Sequence, residues 1–554
     1  MLSTASALLL LLSGSAFAVS PPAPDEDFSG HAEALDRAWV AGPPTGVEHA
    51  PAPPAEAAGD IAVLGQWLAP AAWEVIAIHS AMLSNGQVLQ YSFPGDGPGS
   101  RARMWNPATG VFTPVDMESD IFCSGLTFLA DGSLYVTGGN NTHCEAQGRV
   151  VTNFFDPNTQ SWSPGELMLD GRWYPTPLKI GDGSVIITSG RNSDCESNLL
   201  IERYIPGSGL QLNGTHELAL FPFLHLMPSG LIAHVGLENL TSLYDPDTDQ
   251  WSPVAFTNHG YRCDGTSVLV PGYPNLVMII GGGCPMTNTC EFINFSIPAP
   301  QWNYTAPMNH PRAHADVLIL PDKTLLVVGG GTDGTYGNPQ LIPELFDPQT
   351  QTWTELPPQV YGRMYHSTTV LLPDGRVLSA GQDDGPSRFF GEIYEPPYLF
   401  RGPRPQLTAV PRRVGYGNPF SIAGTPAAGI GAIGLIAPTT NTHSFNNSQR
   451  YVELDFDTLD PDALTATGPQ DGNYAPPGYY MLFIVTPDGV PSIFQFVQVG
   501  PWLSGDIDGD GAIGIVDFLQ ILAAWGPCAG CDEDVNGDAT VGILDLLLML
   551  GNWT

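Results

Sequence analysis

Basic residues are scarce in this sequence. It contains 19 Lys and Arg against 56 Asp and Glu, which gives a formal net charge of −37. The electrostatic field of so negative a protein repels phosphate backbones and anionic lipid surfaces. The composition therefore argues against nucleic-acid binding and membrane-surface binding. It suits an exported soluble protein or one that binds divalent cations.

Charged residues and long apolar runs are also few. Charged residues make up 14% of the chain, whereas it contains 63 Gly and 53 Pro. This composition is typical of short strands and turns rather than long helices. A chain of 554 residues is too long to fold around a single hydrophobic core, so three or four domains are expected. Beyond the N-terminus no run approaches the roughly 20 apolar residues of a membrane-spanning helix, and we expect no membrane span.

The first 18 residues have the pattern of an export signal. The apolar run 7–12 is followed by Ala16-Phe17-Ala18, a small-x-small cleavage pattern. A buried helix or a membrane anchor is the alternative, and no Lys or Arg precedes the run. We predict a cleaved signal peptide at 1–18 and a Pro/Ala-rich linker at 19–58. The protein is then secreted (extracellular) or associated with the cell surface.

Cysteines number only eight. In an oxidising compartment, Cys284 and Cys290 are close enough in sequence to form a disulfide, as are Cys528 and Cys531. Cys144 and Cys195 are candidates to pair across neighbouring repeats. Cys123 and Cys263 are left without an obvious partner, and an unpaired thiol in an exported protein requires a reason.

Residues 59–400 contain a sequence repeat. A turn-like pair followed by an apolar run recurs at spacings of 46, 51, 47, 46, 47 and 52 residues. The seven pairs begin at Asn85, Asp131, Asp182, Ser229, Asn275, Asp322 and Asp374. Three repeats reach an aromatic-Asp-Pro-x-Thr-x-x-Trp turn that ends at Trp162, Trp251 or Trp353. This period and these turns predict a seven-bladed kelch-type β-propeller rather than a solenoid.

The repeat is lost in residues 401–501. Apolar runs such as 433–436 and 480–485 lie there between Pro and Gly turns. A separate β-sandwich is predicted for this segment. The predicted fold class is therefore all-β, a propeller followed by a sandwich, with a small helical module after it.

The segment 503–554 contains a 28-residue unit that occurs twice. Each copy places oxygen-bearing side chains at positions 1, 3, 5 and 12 of a loop and continues into an apolar helix, a spacing suited to Ca²⁺. The predicted calcium ligands are Asp506, Asp508, Asp510, Ala512 and Asp517 in the first loop, and Asp534, Asn536, Asp538, Thr540 and Asp545 in the second.

This duplicated loop and helix resembles a dockerin module. The resemblance implies bound calcium and a cohesin-like or cell-surface partner. Ala539 replaces the glycine expected at position 6 of the second loop. A solvated acidic tail is the alternative, but it does not account for the matching apolar positions.

Four residues with thiol, phenol or imidazole side chains occupy the same position in the propeller repeat. Cys123, Tyr174, His314 and His366 each lie eight residues before the turn pair of their blade, and Tyr365 precedes His366. The first strand of every blade lines the central axis, so residues of one register reach the same height around it. A thiol, phenols and imidazoles that converge in this way can build a copper site.

Every propeller has seven positions at this register, so packing is the alternative for each residue alone. By that reasoning we interpret His79, His225 and His314 as structural or supporting residues. For the remaining set, the coincidence of residue type and register favours a functional site.

The stretches around these residues resemble those of the copper-radical oxidases, the galactose oxidase and glyoxal oxidase family. They are Phe122-Cys123-Ser124-Gly125, Arg172-Trp173-Tyr174-Pro175-Thr176, Tyr365-His366 before Leu372-Pro373-Asp374-Gly375-Arg376, Thr440-Asn441-Thr442-His443, and Pro476 to Phe483. The resemblance covers roughly residues 60–500 and implies that an immunoglobulin-like domain follows the propeller. The stretch that contains Tyr174 is nearer to the glyoxal oxidase branch.

The resemblance also implies a role for each residue. Cys123 is expected to be joined to Tyr174 by a thioether, and Tyr174, Tyr365, His366 and His443 are expected to hold one copper. His443 comes, by this resemblance, from a loop of the C-terminal domain. The cross-linked Tyr174 holds a radical, Tyr365 takes a proton from the substrate as general base, and O₂ is reduced to hydrogen peroxide. A cross-link would explain why Cys123 has no disulfide partner.

Two further residues bear on the substrate. Galactose oxidase has a Trp after its cross-linked Tyr, where this sequence reads Thr188-Ser189-Gly190-Arg191, so galactose is not the expected substrate. Trp173 is predicted to shield the radical and line the substrate site instead. Arg262 is predicted either to orient the substrate or to form a structural ion pair.

The sequence thus predicts an exported copper-dependent oxidase of small aldehydes or primary alcohols. The alternative from another class is a non-catalytic kelch propeller that binds a glycan or a protein and is anchored by its dockerin-like tail. A covalent bond between Cys123 and Tyr174 distinguishes the two.

Overall fold

The computed structural model describes residues 60–94, 99–141, 147–457, 464–503, 505–507, 513–528, 531–536, 538 and 540–553. The predicted signal peptide and linker lie outside these residues. Within them the fold is almost entirely β, as predicted, and the longest helices have nine residues each. None of the described helices is both long enough and apolar enough to cross a membrane.

Seven antiparallel sheets of at least four strands follow one another in the described part of residues 66–395. The first strands of most neighbouring blades contact one another, and together they form the inner ring of a propeller. The strands of blades one to four are His79–Met82, Val88–Pro94, Ser100–Trp105, Phe112–Pro114; Gly125–Phe128, Leu134–Thr137, Thr152–Asp156, Ser161–Pro164; Thr176–Lys179, Val185–Thr188, Leu200–Ile205, Gly209–Thr215; Leu224–Leu226, Ile232–His234, Leu240–Asp245, Gln250–Phe256. Those of blades five to seven are Thr266–Leu269, Leu276–Ile280, Cys290–Asn294, Trp302–Thr305; Ala313–Ile319, Leu325–Asp333, Glu344–Asp347, Thr352–Glu355; Ser367–Leu371, Val377–Gly381, Phe390–Glu395, Gln66–Trp67.

The ring is closed by the beginning of the described chain. The outermost strand of blade seven is Gln66–Trp67, which pairs antiparallel with Phe390–Glu395. Ala71–Ala72 pairs with the same strand, and the short helix Ile61–Leu64 precedes both. Blade seven is thus completed by residues from the two ends of the propeller sequence.

The repeated Trp turn links neighbouring blades. In blade two, Asp156 accepts hydrogen bonds from the Asn158 amide (2.8 Å) and the Thr159 hydroxyl (3.0 Å), which closes the turn. The ring of Trp162 packs 4.9 Å from that of Phe155, and its indole N–H donates to Val115 O of blade one (2.7 Å). Trp353 donates likewise to Ala306 O of the preceding blade (2.8 Å), whereas the buried indole nitrogen of Trp251 has no hydrogen-bond partner among the described residues. In two of its three copies the motif therefore encodes a hydrogen bond between blades as well as a turn.

Four blades contain a buried Arg–Glu ion pair at an equivalent place. The Arg precedes the first strand, the Glu lies in the third strand, and the guanidinium also donates to a backbone carbonyl in or directly after the second strand. The pairs are Arg172–Glu202, Arg262–Glu291, Arg312–Glu344 and Arg363–Glu392. Burying both ions is costly, and the bonds from each guanidinium to its glutamate and to backbone carbonyls offset part of that cost.

Two packed sheets form the domain after the propeller, beyond the one-turn 3₁₀ helices Pro386–Phe389 and Pro397–Phe400. One sheet contains Leu407–Ala409, Pro419–Gly424, Leu464–Thr467 and Phe456–Asp457, and the other Arg413–Gly415, Gln495–Gly500, Gly478–Val485, Ala432–Ile436 and Tyr451–Leu454. Their facing side chains form a continuous apolar core. This is the sandwich predicted for residues 401–501.

A loop of the sandwich domain extends the first blade of the propeller. Its strand Thr440–Thr442 pairs antiparallel with His79–Met82, and Phe445–Asn446 adds a further short strand. The sheet of blade one therefore has six strands, two of which come from the other domain. The added strands lie at the inner edge, where the first strands of the blades meet.

The tail contains two similar helices, Ile515–Ala523 and Ile543–Gly551. Gly514 N donates to Asp517 Oδ2 and Gly542 N to Asp545 Oδ2, both at 2.7 Å, so the 28-residue repeat has a structural counterpart. A short ladder between Gly526–Pro527 and Thr540–Val541 joins the two halves. Asp508, Asp510 and Ala512 of the first predicted calcium loop lie outside the described residues.

The disulfides correct one prediction from the sequence. Cys263 is bonded to Cys284, and Cys290 carries a free thiol, so the pairing of Cys284 with Cys290 was wrong. Cys290 begins a core strand with its side chain buried, whereas Gly283 N donates to Cys263 O (2.8 Å) and holds those two segments together. The Cys528–Cys531 disulfide is confirmed. Cys195 is disulfide-bonded, and Cys144 lies outside the described residues.

Candidate copper site

The shared register of the sequence repeat corresponds to a shared backbone conformation. Cys123, Tyr174, His314 and His366 have φ angles of 59°, 63°, 56° and 62°, in the left-handed region that residues other than glycine rarely adopt. Phe221, eight residues before its own turn pair, has φ 53°. Because several blades share this conformation, it belongs to the way the chain enters each inner strand. It therefore gives no evidence of strain specific to a catalytic site.

Two phenols and two imidazoles meet at this level of the axis. The Tyr174 hydroxyl is hydrogen-bonded to the Tyr365 hydroxyl and lies 3.3 Å from His366 Nε2. The His443 ring centroid is 4.1 Å from that of Tyr174 and 4.9 Å from that of His366. All four side chains are buried, with Tyr365 and His443 the most accessible at 7% and 8%. The sandwich loop thus delivers His443 to residues from blades three and seven.

The donor atoms fit a single copper ion. The sulfur of Cys123 and nitrogens of His366 and His443 all lie within 4.8 Å of one another, and the residues are buried. Two imidazoles with phenol oxygens beside them suit the tetragonal coordination that Cu(II) prefers. Tyr174, Tyr365, His366 and His443 are therefore the residues that would hold the metal.

A hydrogen bond at Nδ1 fixes the tautomer of His443. The Thr442 hydroxyl donates to Ile78 O (3.0 Å), which uses its one proton. At its 2.7 Å contact with His443 Nδ1 the same hydroxyl must then accept, so Nδ1 carries the hydrogen. The lone pair of this imidazole is therefore on Nε2.

His366 is held in the same tautomer by a carboxylate. Its Nδ1 lies 2.7 Å from Asp383 Oδ2, and its Nε2 faces the Tyr174 hydroxyl. The other Asp383 oxygen accepts a hydrogen bond from the Tyr336 hydroxyl. Metal-binding histidines commonly have a carboxylate at the ring nitrogen that does not bind the metal.

Trp173 covers Cys123 and Tyr174. Its ring centroid is 4.0 Å from that of Tyr174 at an interplanar angle of 55°, and Trp173 and Cys123 belong to the same buried cluster. Both its backbone N–H and its carbonyl bond to Arg191 (2.8 Å each). Burial raises the pKa of the Cys123 thiol well above its ordinary value, with Asp120 and Asp383 raising it further and Trp173 lowering it. The sulfur is thus a protonated thiol that is shielded by an indole.

The surroundings of the site are mainly apolar. It belongs to a cluster rich in aromatic and aliphatic side chains, with partly buried Phe93, Leu220 and Tyr336 packed against it. On blade six, the ring of His314 lies 5.2 Å from that of Tyr365, and its Nε2 is 3.6 Å from Asp264. Burial lowers the pKa of His314, which Asp264 partly counteracts.

Arg262 does not reach this site. Its guanidinium is fully buried and bonds to Gly281 O (2.7 Å), to Thr289 and to Glu291 (2.7 Å). It is one of the four equivalent Arg–Glu pairs of the propeller. A guanidinium enclosed in this way cannot contact a substrate, so of the two predicted roles the structural ion pair is the one observed.

Several residues of the site were not identified from the sequence, whereas His79 was interpreted from it as structural or supporting. His79 accepts a hydrogen bond at Nε2 from the Cys123 amide (3.1 Å). Its pKa is lowered well below the ordinary value, by burial and then by His366, so it is a neutral acceptor. The register could have indicated Phe221, whose ring lies 5.4 Å from that of His443. Asp383 and Tyr336 lie in connections without a fixed register, and no repeat position indicated them.

Comparisons with known proteins match both β domains. Residues 100–394 match the family described as glyoxal oxidase N-terminus, and residues 404–499 match the galactose oxidase-like Early set domain. The two matches meet where the propeller ends and the sandwich begins.

Individual relatives cover the same region. Aldehyde oxidase GLOX from Vitis pseudoreticulata is 30% identical over 453 residues, 71% of this chain and 84% of that protein. Galactose oxidase from Gibberella zeae is 25% identical over 468 residues, 75% of this chain and 68% of that protein. A solved structure of a fungal alcohol oxidase of the AA5 family, in complex with copper, has a TM-score of 0.72 at 25% identity and covers 79% of this chain and 100% of its own.

Proposed function

This chain belongs to the glyoxal oxidase family of copper-dependent oxidases, and on that premise we propose that it is an exported copper-radical oxidase. Its proposed substrates are small aldehydes of the glyoxal type, or primary alcohols, with O₂ as oxidant and hydrogen peroxide as product. The observation that carries the proposal is the position of Tyr174. Its hydroxyl contacts the Tyr365 hydroxyl and His366, its ring packs against the indole of Trp173, and its amide donates to Cys123 O.

We propose that Cys123 and Tyr174 become covalently linked. The Cys123 S–H bond and one ring C–H bond of Tyr174 break, and a sulfur–carbon bond forms. Two protons and two electrons leave, and O₂ takes both to become hydrogen peroxide. The Tyr174 amide already donates to Cys123 O (3.0 Å), so the backbone holds the two residues together before any reaction.

In turnover, each residue has a distinct task. Copper, when bound by the two tyrosines and two histidines, supplies a one-electron acceptor beside Tyr174. Tyr365, the more accessible of the two side chains, would act as a phenolate that takes the proton of the substrate hydroxyl and becomes a neutral phenol. The oxidised Tyr174 takes a hydrogen atom from the substrate carbon, and the two electrons removed pass finally to O₂.

The burial of the site supports a small substrate. The most accessible ligand side chains are only 7% and 8% exposed, and the neighbouring partly buried residues are Phe93, Leu220 and Tyr336. A sugar requires several polar partners and more room, whereas a two- or three-carbon aldehyde hydrate needs only the phenol and the metal. This favours glyoxal-type aldehydes over galactose.

Export and attachment are further parts of the proposal. The N-terminal signal pattern and the net charge of −37 support an extracellular location. In the tail, the carboxylates of Asp534 and Asp545 are buried, and Asp545 Oδ1 accepts from the Asn536 amide (3.0 Å), which is compatible with a calcium loop. Both helices expose leucines and a following Trp, namely Leu519, Leu522 and Trp525, and Leu544, Leu547 and Trp553, which would face a cohesin-like or cell-surface partner.

Mass spectrometry tests the cross-link directly. After treatment with copper and O₂, we expect the peptides of Cys123 and Tyr174 to be joined with loss of two hydrogens. Cys123→Ser and Tyr174→Phe abolish the joined peptide and peroxide production. Cys290→Ser is the matched control, because it removes the other buried free thiol of the described chain from the core of blade five. Separate peptides together with full activity in Tyr174→Phe would exclude the radical mechanism.

Peroxide release with a substrate panel tests the substrate class. We expect kcat/KM to be highest for glyoxal and methylglyoxal, lower for glycerol and lowest for galactose. A preference for galactose would contradict the argument from burial. Loss of all activity with an intact cross-link would instead favour a binding role for the propeller.

A further inference from the structure

We propose that Asp383 is a positioning residue that fixes His366 as a copper ligand, and that Tyr336 connects Asp383 to a hairpin of blade six. The proposal rests on the ligand set proposed above, because it concerns the orientation of one of those ligands. It assigns a role to two residues that lie outside the copper-binding set.

The first contact sets the orientation of the imidazole. Asp383 Oδ2 accepts from His366 Nδ1 at 2.7 Å, with the two residues 5% and 1% exposed. This bond fixes the ring plane and the tautomer, so that Nε2 faces Tyr174 at 3.3 Å. Without it, the ring is free to rotate about its terminal side-chain bond or to place its hydrogen on Nε2. Either change removes the lone pair from the metal position.

The second contact holds the carboxylate itself. The Tyr336 hydroxyl donates to Asp383 Oδ1, so both oxygens are engaged by donors. Tyr336 lies at the tip of the hairpin formed by Leu325–Asp333 and Gly337–Pro339, in which Asp333 pairs with Gly337. Its ring is partly buried and lies 6.3 Å from that of Tyr365. The hairpin of blade six is therefore connected to the ligand of blade seven through two hydrogen bonds.

The backbone directly before Asp383 is attached to the segment that carries His366. Gln382 N donates to His366 O (2.7 Å), and the Gln382 side chain accepts from the Met364 amide (2.9 Å). The preceding strand is paired in register, with Gly381 opposite Ser367. Asp383 is thus attached to the same segment that carries His366, the proposed copper ligand that it orients. A carboxylate fixed in this way also increases the basicity of the imidazole that it accepts from.

Copper affinity and the Cu(II) EPR spectrum test this role independently of turnover. We expect Asp383→Asn to weaken copper binding by about 10- to 100-fold, the range typical of such supporting residues, and to change the copper hyperfine splitting. Tyr336→Phe removes one hydroxyl and is expected to produce the same spectral change with a smaller loss of affinity. Asp384→Asn is the matched control, because Asp384 is the exposed neighbour of Asp383, and it should bind copper like the parent protein.

His366→Ala separates failure of this proposal from failure of the ligand set. If His366→Ala binds copper normally, the ligand set is wrong. If His366→Ala loses copper while Asp383→Asn binds it with unchanged affinity and spectrum, only the positioning role is wrong. Thermal melting of the metal-free variants shows whether each is folded. If Asp383→Asn is unfolded, an unchanged affinity and spectrum in Tyr336→Phe overturns the proposal.

Discussion

Thr442 of the sandwich domain pairs in register with His79 of the first propeller blade. The two residues hold both sides of the site, since Thr442 orients His443 and His79 accepts from the Cys123 amide. The proposed metal ligands are therefore shared by two domains. A separately folded propeller would lack the fourth ligand.

Removal of the Thr442 hydroxyl tests this dependence. We expect Thr442→Val to weaken copper binding by about tenfold, because the bond that places the hydrogen on His443 Nδ1 is lost. Thr440→Val, on the same strand, removes a hydroxyl that bonds Asn447 instead (2.7 Å) and should retain the parent affinity. Equal affinities in both variants, measured by competition with a chelator, would contradict the assignment.

Trp173→Phe is expected to shorten the lifetime of the oxidised state without loss of copper. The substitution replaces the indole, whose ring centroid lies 4.0 Å from that of Tyr174, by a smaller ring and so weakens this contact. Aromatic pairs of this kind contribute about 0.5–1.5 kcal/mol, so a weakened pair is expected to shorten the lifetime by at most roughly 13-fold. Decay of the radical EPR signal is the measurement. Trp162→Phe, in the turn of blade two, is the control and should leave the decay rate unchanged.

Arg262→Ala and Arg312→Ala are expected to have the same effect. Each leaves a buried glutamate without its partner, at a cost of about 3–5 kcal/mol in the free energy of unfolding. Unfolding in urea gives this quantity, and the KM of the folded fraction should match that of the parent in both variants. A raised KM in the Arg262 variant alone would instead indicate a substrate contact.

Asp316 predicts a pH dependence of stability. Burial raises the pKa of this carboxyl to about 7 from 3.8, although Asn441 and Thr369 donate to it. The folded form thus keeps its proton up to pH about 7, whereas the unfolded form loses it near 3.8. Ionisation in this window stabilises only the unfolded chain, so the free energy of unfolding falls as the pH rises.

Asp316→Asn removes this contribution. The fall attributable to Asp316 between about pH 4 and pH 7 is roughly 4 kcal/mol, because each pH unit corresponds to about 1.4 kcal/mol. We expect the free energy of unfolding of the variant to decline less steeply over this range. Urea unfolding at several pH values provides the comparison, and parallel profiles for the two proteins would show that Asp316 does not titrate in this way.

Chelation of calcium is expected to loosen the tail without inhibiting the oxidase. A ligand present at 100 times its dissociation constant stabilises the folded state by about 3 kcal/mol, so EGTA should lower the melting temperature of the tail and change the fluorescence of Trp525 and Trp553. Asp545→Asn should lose this response, whereas Asp532→Asn, outside the predicted loops, should keep it. Peroxide production should be unchanged in both.

Much of the fold could be predicted because each blade repeats the same local requirements. Several turn pairs place glycine where the backbone is left-handed, as at Gly86 (φ 82°) and Gly183 (φ 87°). The strands follow these turns at a spacing of 46 to 52 residues. The same period located Cys123, Tyr174 and His366. His443 had no such register and was assigned only through its resemblance to a known family.

Other features depend on contacts that a single sequence does not show. Asp383 and Tyr336 lie in connections of variable length, so only tertiary packing brings them to His366. Cys284 is nearer in sequence to Cys290 than to Cys263, but the strand that begins at Cys290 buries that thiol in the core. The role of Arg262 also became apparent only in the structure. Arg172, Arg262 and Arg312 each lie two residues before a left-handed residue, and this structural recurrence favours a structural role.

The pairing of Gln66–Trp67 with Phe390–Glu395 has a consequence for synthesis of the protein on the ribosome. The strand that completes blade seven is made early, yet its partner is made after the six preceding blades. The emerging chain must therefore keep this segment unpaired until the ring is nearly finished. His443 follows later still, so a nascent chain that ends before the sandwich loop lacks one of the four proposed copper ligands. Binding of copper by the complete proposed set therefore requires that the sandwich loop has been synthesised.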